Sequence, residues 1–234
     1  MPDFEIYLQF DSFKPEVLQK LRGEDLTEVR KKAIEHLNQF NISTTLVITL
    51  QKGENDDEIG KIIEYALQQK CVRGVTFQPT QVAGRNDNYD DTSGRITLTE
   101  VRRKIYEQYP LFTPEDLIPV PCNPDALCMA YALKVDGDVF PMTNLINPED
   151  LLNNSKNTIV FEHDEKLKTH MLNLFSTGIS VDCAEGEFNA LMCCLPRVQS
   201  DTLHYDNLFR ILIMNFMDAH DFDVHTVKKS CVHI

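Results

Sequence analysis

The sequence predicts an α/β fold built on a parallel sheet, and three observations carry that prediction. Three runs have strand composition: Glu5-Ile-Tyr-Leu-Gln-Phe10, Thr44-Thr-Leu-Val-Ile-Thr-Leu50 and Val72-Arg-Gly-Val-Thr-Phe-Gln78. Segments of helical periodicity fill the intervals between them. Strand, helix, strand, helix, strand at this spacing implies two right-handed βαβ units. Each run also stops at a polar stretch: Asp11-Ser12, Gln51-Lys-Gly-Glu-Asn-Asp56, and the loop from Pro79 to Gly84-Arg85. Sites in α/β proteins form at such strand exits, because side chains and loop amides converge there.

The elements follow in order. A short helix over residues 15–21 begins at Pro15 and ends before Gly23, which suits a left-handed C-cap. A second helix starts near Asp25 or Thr27 and runs to Phe40. Its residues Val29, Ala33, Ile34, Leu37 and Phe40 recur at three and four, as one helix face does. Asn41 ends it. The second strand, over 42–50, has the β-branched richness of a buried parallel strand. Asp56 or Asp57 is the expected N-cap of a third helix carrying Ile59, Ile62, Ile63, Tyr65, Ala66 and Leu67. The third strand spans 72–78.

Beyond Arg85 the texture changes to a polar connection over 86–94, then a helix capped by Thr97 or Thr99 and reaching about Tyr109. Thr113-Pro-Glu-Asp116 reads as a capped turn. Residues 129–135 and 139–142 form a hairpin about Asp136-Gly137, a good turn dipeptide. A short helix is expected from Asn147, helices over 164–175 and about 205–217, and a last strand over 228–234.

Composition narrows the function. The 234 residues suffice for one large or two small domains. Hydrophobic content of 42% and charged content of 25% are those of an ordinary globular chain. The net charge of −13 argues against nucleic-acid or anionic-membrane binding, which need basic surfaces. No apolar run approaches the roughly 20 residues of a transmembrane helix. No secretion signal is visible, so the seven cysteines point to reduced thiols or metal and to a cytoplasmic protein. The histidines show no HExxH spacing, and neither a GxSxG elbow nor a Walker loop is present.

Several segments together carry a resemblance: Tyr7-Leu-Gln-Phe-Asp11, Leu21-Arg-Gly-Glu-Asp-Leu26, Leu46-Val-Ile-Thr-Leu50 with Asn55-Asp-Asp-Glu-Ile-Gly60, and Arg73-Gly-Val-Thr-Phe-Gln-Pro79 with Ala83-Gly-Arg85. In this order they resemble the radical S-adenosylmethionine superfamily, in its methylase-like and tetraether-lipid-synthase-like branch. Pro119-Val-Pro-Cys-Asn-Pro124, Asn215-Phe-Met-Asp-Ala-His-Asp-Phe-Asp223 and Lys229-Ser-Cys-Val-His233 resemble it too. The resemblance implies a partial (β/α)6 barrel holding S-adenosylmethionine and a [4Fe-4S] cluster, from which a 5′-deoxyadenosyl radical is made. It also implies a small-molecule or lipid-like substrate and a reductant protein as partners. The family's CxxxCxxC spacing occurs nowhere among Cys71, Cys122, Cys128, Cys183, Cys193, Cys194 and Cys231. A chain that opens and closes on strands without that motif reads as a fragment, inactive alone. Residues 1–95 would be the C-terminal half of the barrel, strands four to six, and 96–234 a smaller α+β region. The alternative is a non-catalytic remnant or metal-binding module that keeps the barrel's shape.

Candidate residues follow from position and resemblance together. Gln9, Asp11 and Thr49 stand at strand exits, where they suit hydrogen bonds to a ribose or to an amino-acid group. The blander reading is that Gln9 and Thr49 satisfy backbone while Asp11 caps a turn. Gln78 and Arg85 flank the exit of the third strand, where the family places adenine; otherwise Gly74 permits close packing and Arg85 makes a surface ion pair. Cys122, Cys128 and Cys231 are the metal candidates, for an auxiliary cluster by resemblance and as buried free thiols without it. Asp218, His220, Asp221 and Asp223 read as a solvated helix end, and Arg102-Arg-Lys104 as a solvated helix face.

Overall fold

The computed structural model of the chain describes residues 4–81, 95–120, 123–135, 137–144 and 207–217, with 222–224 and 228 beyond them. Along the chain these give β1 (Ile6–Gln9), α1 (Pro15–Arg22), α2 (Thr27–Phe40), β2 (Thr44–Leu50), α3 (Ile59–Gln68), β3 (Val72–Pro79) and α4 (Leu98–Gln108). A 3-10 turn, Pro114–Asp116, precedes β4 (Ile118–Pro119), β5 (Leu127–Val135), β6 (Asp138–Pro141) and β7 (Leu208–Met214). Arg85, Cys122, Cys231 and the helices expected from Asn147 and over 164–175 lie outside the described residues, as does nearly all of the expected last strand.

Local chemistry sets the first elements. Pro15 opens α1 at a position whose N–H has no helical partner to lose, and Gly23 closes it at φ 80°. Asn41 ends α2 in the same left-handed region, at φ 47°. Thr97 and Glu100 form a reciprocal capping box that starts α4. The cap of α3 differs from expectation. Its N-cap is Glu58, since Asp56 accepts from the Gly53 amide and Asp57 is drawn to Lys14 at 2.7 Å.

One mixed sheet runs in the order β1-β2-β3-β7-β5-β4, with β6 on the far side of β5. The joins β1–β2, β2–β3 and β3–β7 are parallel. Those of β5 with β4, β6 and β7 are antiparallel. The parallel sheet predicted from the first three strands is therefore present, and it takes a fourth strand from far along the chain. The boundary placed at residue 95 falls between β3 and α4, and the sheet crosses it. The helix expected over 205–217 is a correction: Leu208–Met214 is a strand, buried along most of its length. Its run Leu-Phe-Arg-Ile-Leu-Ile-Met is apolar nearly throughout, and periodicity alone cannot separate a buried strand from a buried helix. The isoleucines and the pairing offered by β3 and β5 settle it.

Strand alternation divides the sheet into two faces. Leu46, Ile48, Leu50, Val75, Phe77, Ile211 and Ile213 join one core cluster with Ile34, Leu37, Ile62, Ile63, Val101 and Ile105 of the helices. The register places Gln9, Val47, Thr76 and Leu212 in one row on the other face, with Thr49 beside Gln78 in the next row. That face is polar toward β1 and apolar toward β5, where Met129, Tyr131, Leu133 and Leu212 share a second cluster. Gly74 lies at the joint between the two: a Cβ there would stand 2.7 Å from the Arg210 carbonyl oxygen.

Candidate functional site at the strand exits

The polar groups at the ends of β1 and β2 gather about one carboxylate. Asp11 follows β1 in the left-handed region, φ 62°, a conformation that Asp tolerates better than most residues. The bend turns its side chain toward β2, where it is fully buried. The Thr49 amide donates to Oδ1 at 2.9 Å and Gln9 Nε2 donates to it at 2.7 Å. Arg22, the last residue of α1, donates from Nε to Oδ2 at 2.8 Å and from Nη2 to Oδ1 at 3.0 Å. Arg30 of α2 donates to Oδ2 at 2.8 Å and also reaches the Phe10 carbonyl at 2.5 Å. Asn55 ties the two exits together by donating to the Asp11 and Thr49 carbonyls, each at 2.9 Å. Its own oxygen accepts from the Gln51 amide at 2.9 Å.

Burial pushes the Asp11 carboxyl up, but hydrogen bonds from Arg22, the Thr49 amide and Gln9 outweigh it, and its pKa lies below the ordinary carboxylate value. The hydrogen bond to Asp11 raises Arg22 in turn, whereas burial lowers Arg30 despite the same carboxylate. Two guanidiniums around one carboxylate leave one positive charge over. Arg30 is 6% exposed and Arg22 31%, so Arg22 is the one that presents this charge outward.

A pH dependence follows from the sign of the Asp11 shift. A carboxyl lowered by folding contributes stability that is fully present above its unfolded pKa and is lost as pH falls through the folded one. Urea unfolding midpoints of the parent should therefore drop steeply below about pH 4, while those of Asp11→Asn should change less over that range. Parallel curves for the two proteins would contradict the assignment.

Several donors and acceptors remain open on this edge. Thr49 Oγ1 accepts from Gln9 Nε2 at 3.1 Å and from Arg22 Nη2 at 2.7 Å, so its hydroxyl proton is directed elsewhere. Among the described residues Gln9 Oε1 and Arg22 Nη1 have no partner. Gln78 is half-buried in the row of Thr49, and Thr76 on the same face has a buried hydroxyl with no partner. Gln9, Asp11 and Thr49 thus stand together, with Gln78 in the row of Thr49. Gln9 and Thr49 do contact backbone or neighbours, yet each keeps a polar atom for something else. Arg22, Arg30 and Asn55 were not singled out from the sequence. Arg22 and Asn55 lie within the quoted segments, but neither segment says which carboxylate or carbonyl they reach.

The thiols stand differently. Cys128 lies on the helix-side face of β5 with no exposed surface, and burial pushes it up to about 12. Burial raises Cys71 as well. Among the described residues, no group of three His, Cys, Asp or Glu could hold a metal ion. The strand exits offer hydrogen-bonding ends and one outward-facing guanidinium. A cluster's thiolate set is not offered by the described residues.

Comparison with known proteins bears on the same stretch. The pattern of the radical SAM superfamily matches residues 2–66, which include every residue of the Asp11 network. Over 266 aligned positions the chain is 31% identical to the 7,8-dihydro-6-hydroxymethylpterin dimethyltransferase of Methanocaldococcus jannaschii. That alignment takes in 97% of this chain and 52% of the relative, so the chain spans about half the length of that protein. No helix among the described residues is long and apolar enough to cross a membrane.

Proposed function

From the premise that this chain belongs to the radical SAM superfamily, we propose that the exits of β1, β2 and β3 are the S-adenosylmethionine-binding edge of a methyltransferase-type radical enzyme. The observation that carries the proposal is the Asp11 network itself. It lies inside the matched stretch and leaves one cationic group and several neutral ones facing outward.

In this reading the parallel strands form one side of a (β/α)6 barrel. Arg22 holds the ligand's carboxylate, with Asp11 fixing the guanidinium so that little rotamer freedom is lost on binding. Thr49 and Gln9 hold ribose hydroxyls, one as donor and the other as acceptor. Thr76 and Gln78 meet the adenine side. When bound, S-adenosylmethionine supplies the adenosyl and methyl groups of the family's chemistry. The reductive cluster is not assigned to the described residues, whose thiols do not suit it. The relative's name gives a pterin as its methyl acceptor. For this chain the proposal extends to a small organic acceptor and a methyl transfer.

Equilibrium titration of the chain with S-adenosylmethionine tests the reading. Thr49→Val and Gln9→Leu should each weaken binding about tenfold, the value of one hydrogen bond of roughly 1.4 kcal/mol, with unchanged circular dichroism. Lys52→Gln, outside the network, should bind as the parent does. Equal affinity in all four proteins, or no binding by the parent, would overturn the proposal.

A further inference from the structure

The end of the sheet opposite the strand exits holds a second polar feature. A cleft of about 320 Å3 opens between the end of α3, the start of β3 and the β5–β6 hairpin. This volume lies at the lower end of the range for small-molecule sites. Among the described residues its lining carries Lys70, Arg73 and Lys134 against Asp138, in a chain whose net charge is −13. Three cations beside one acid among the described residues run against the average of this molecule, and they come from the turn before β3, from β3 and from β5.

Lys134 is the unusual member. Its Nζ donates to the Gln69 carbonyl at 2.8 Å and to the Val72 carbonyl at 3.2 Å, and lies 5.8 Å from the centre of the Phe209 ring. Among the described residues it has no carboxylate partner. An ammonium has three protons to donate, so one remains. Burial, followed by the nearby Arg73, lowers this lysine to about 8. Arg73 contributes its guanidinium from β3, held by the Lys70 carbonyl and by Asn41 Oδ1 at 3.0 Å. Asn207 fixes the hairpin side by donating to the Lys134 carbonyl at 2.7 Å.

We propose that this cleft binds a small molecule bearing a phosphate or carboxylate group, with Lys134 and Arg73 as its charge partners. An oxyanion there would supply the counter-charge that no described residue supplies to Lys134, and a guanidinium matches its geometry. The site is separate from the S-adenosylmethionine edge and does not depend on it.

Pyridoxal 5′-phosphate is a suitable probe, because it joins an anion to an aldehyde that forms an imine with a lysine amine and releases water. Borohydride reduction followed by peptide mapping then reads which lysine was reached. The label should concentrate on Lys134 and fall at least fivefold in excess inorganic phosphate or in succinate. The stronger competitor identifies phosphate or carboxylate as the preferred group. Arg73→Gln should lower the label similarly. Lys70→Gln, at an exposed position, should lower it in the same direction and serves if the first variant does not fold. Labelling spread over exposed lysines such as Lys20 and Lys61 would overturn the proposal. So would label on Lys134 that neither competitor nor either variant changes, since that would reflect amine reactivity alone.

Discussion

Asp11→Asn is expected to cost the fold about 3–5 kcal/mol, the usual penalty for removing one partner of a buried ion pair. The substitution keeps the shape of the side chain and suits the left-handed backbone at φ 62°. What it removes is the charge that Arg30 and Arg22 both face at 2.8 Å. Arg30 is buried and would keep its charge without compensation. Arg22, partly exposed, would turn toward water and take with it the hydrogen bond to Thr49. Urea denaturation gives the comparison directly, with an unchanged slope showing that stability and not compactness was altered. Asp57→Asn is the control. Asp57 pairs with Lys14 at 2.7 Å but is well exposed, so its loss should cost under about 1 kcal/mol. An Asp11→Asn midpoint close to that of the control would mean that the network is not holding the two strand exits together.

Gly74→Val should be nearly as damaging, about 3 kcal/mol or more, for a steric reason. The added Cβ would meet the Arg210 carbonyl oxygen at 2.7 Å, and that atom belongs to the backbone of the paired strand. A flexible side chain could move aside; a strand held on both edges cannot. Relief requires opening the β3–β7 join, which spans Gly74–Arg210 to Phe77–Ile213. Gly74→Ala should show the same effect more mildly. Gly23→Ala makes a useful contrast, because a side chain there meets nothing within 4 Å and only the positive φ is strained. Its expected cost is about 1 kcal/mol. Amide exchange along β7 should speed up in Gly74→Ala and stay as in the parent in Gly23→Ala. Unaltered exchange and an unaltered midpoint for Gly74→Ala would contradict the close approach.

The sequence was most legible where a residue type answers a local need. Gly23 and Asn41 marked helix ends because each ends a helix in the left-handed region. Thr97, one of the two threonines offered as caps, marked a start, and the structure adds its reciprocal bonds with Glu100. β-Branched runs between amphipathic helices gave β1, β2, β3 and their parallel order. The candidate site was partly legible for the same reason: Gln9, Asp11, Thr49 and Gln78 are polar residues at or just past the ends of strands. Arg22 and Arg30 were not, since a guanidinium on a helix has many possible partners within reach. Their carboxylate lies 11 and 19 residues back along the chain.

By itself, then, the sequence determined the alternation of the first strands and helices, the left-handed ends of α1 and α2, the parallel pairing of the first three strands and the edge on which polar groups collect. These depend on periods of two and of about 3.6 residues and on single-residue backbone preferences, all of which act over a few positions. The tertiary structure alone decided that Leu208–Met214 is a strand beside β3, that Asp11 is shared by two arginines, and that Lys134 is half-buried with no carboxylate partner among the described residues. Each is a pairing between distant segments. It depends on which partner the rest of the fold delivers, and no local pattern in the chain encodes that partner.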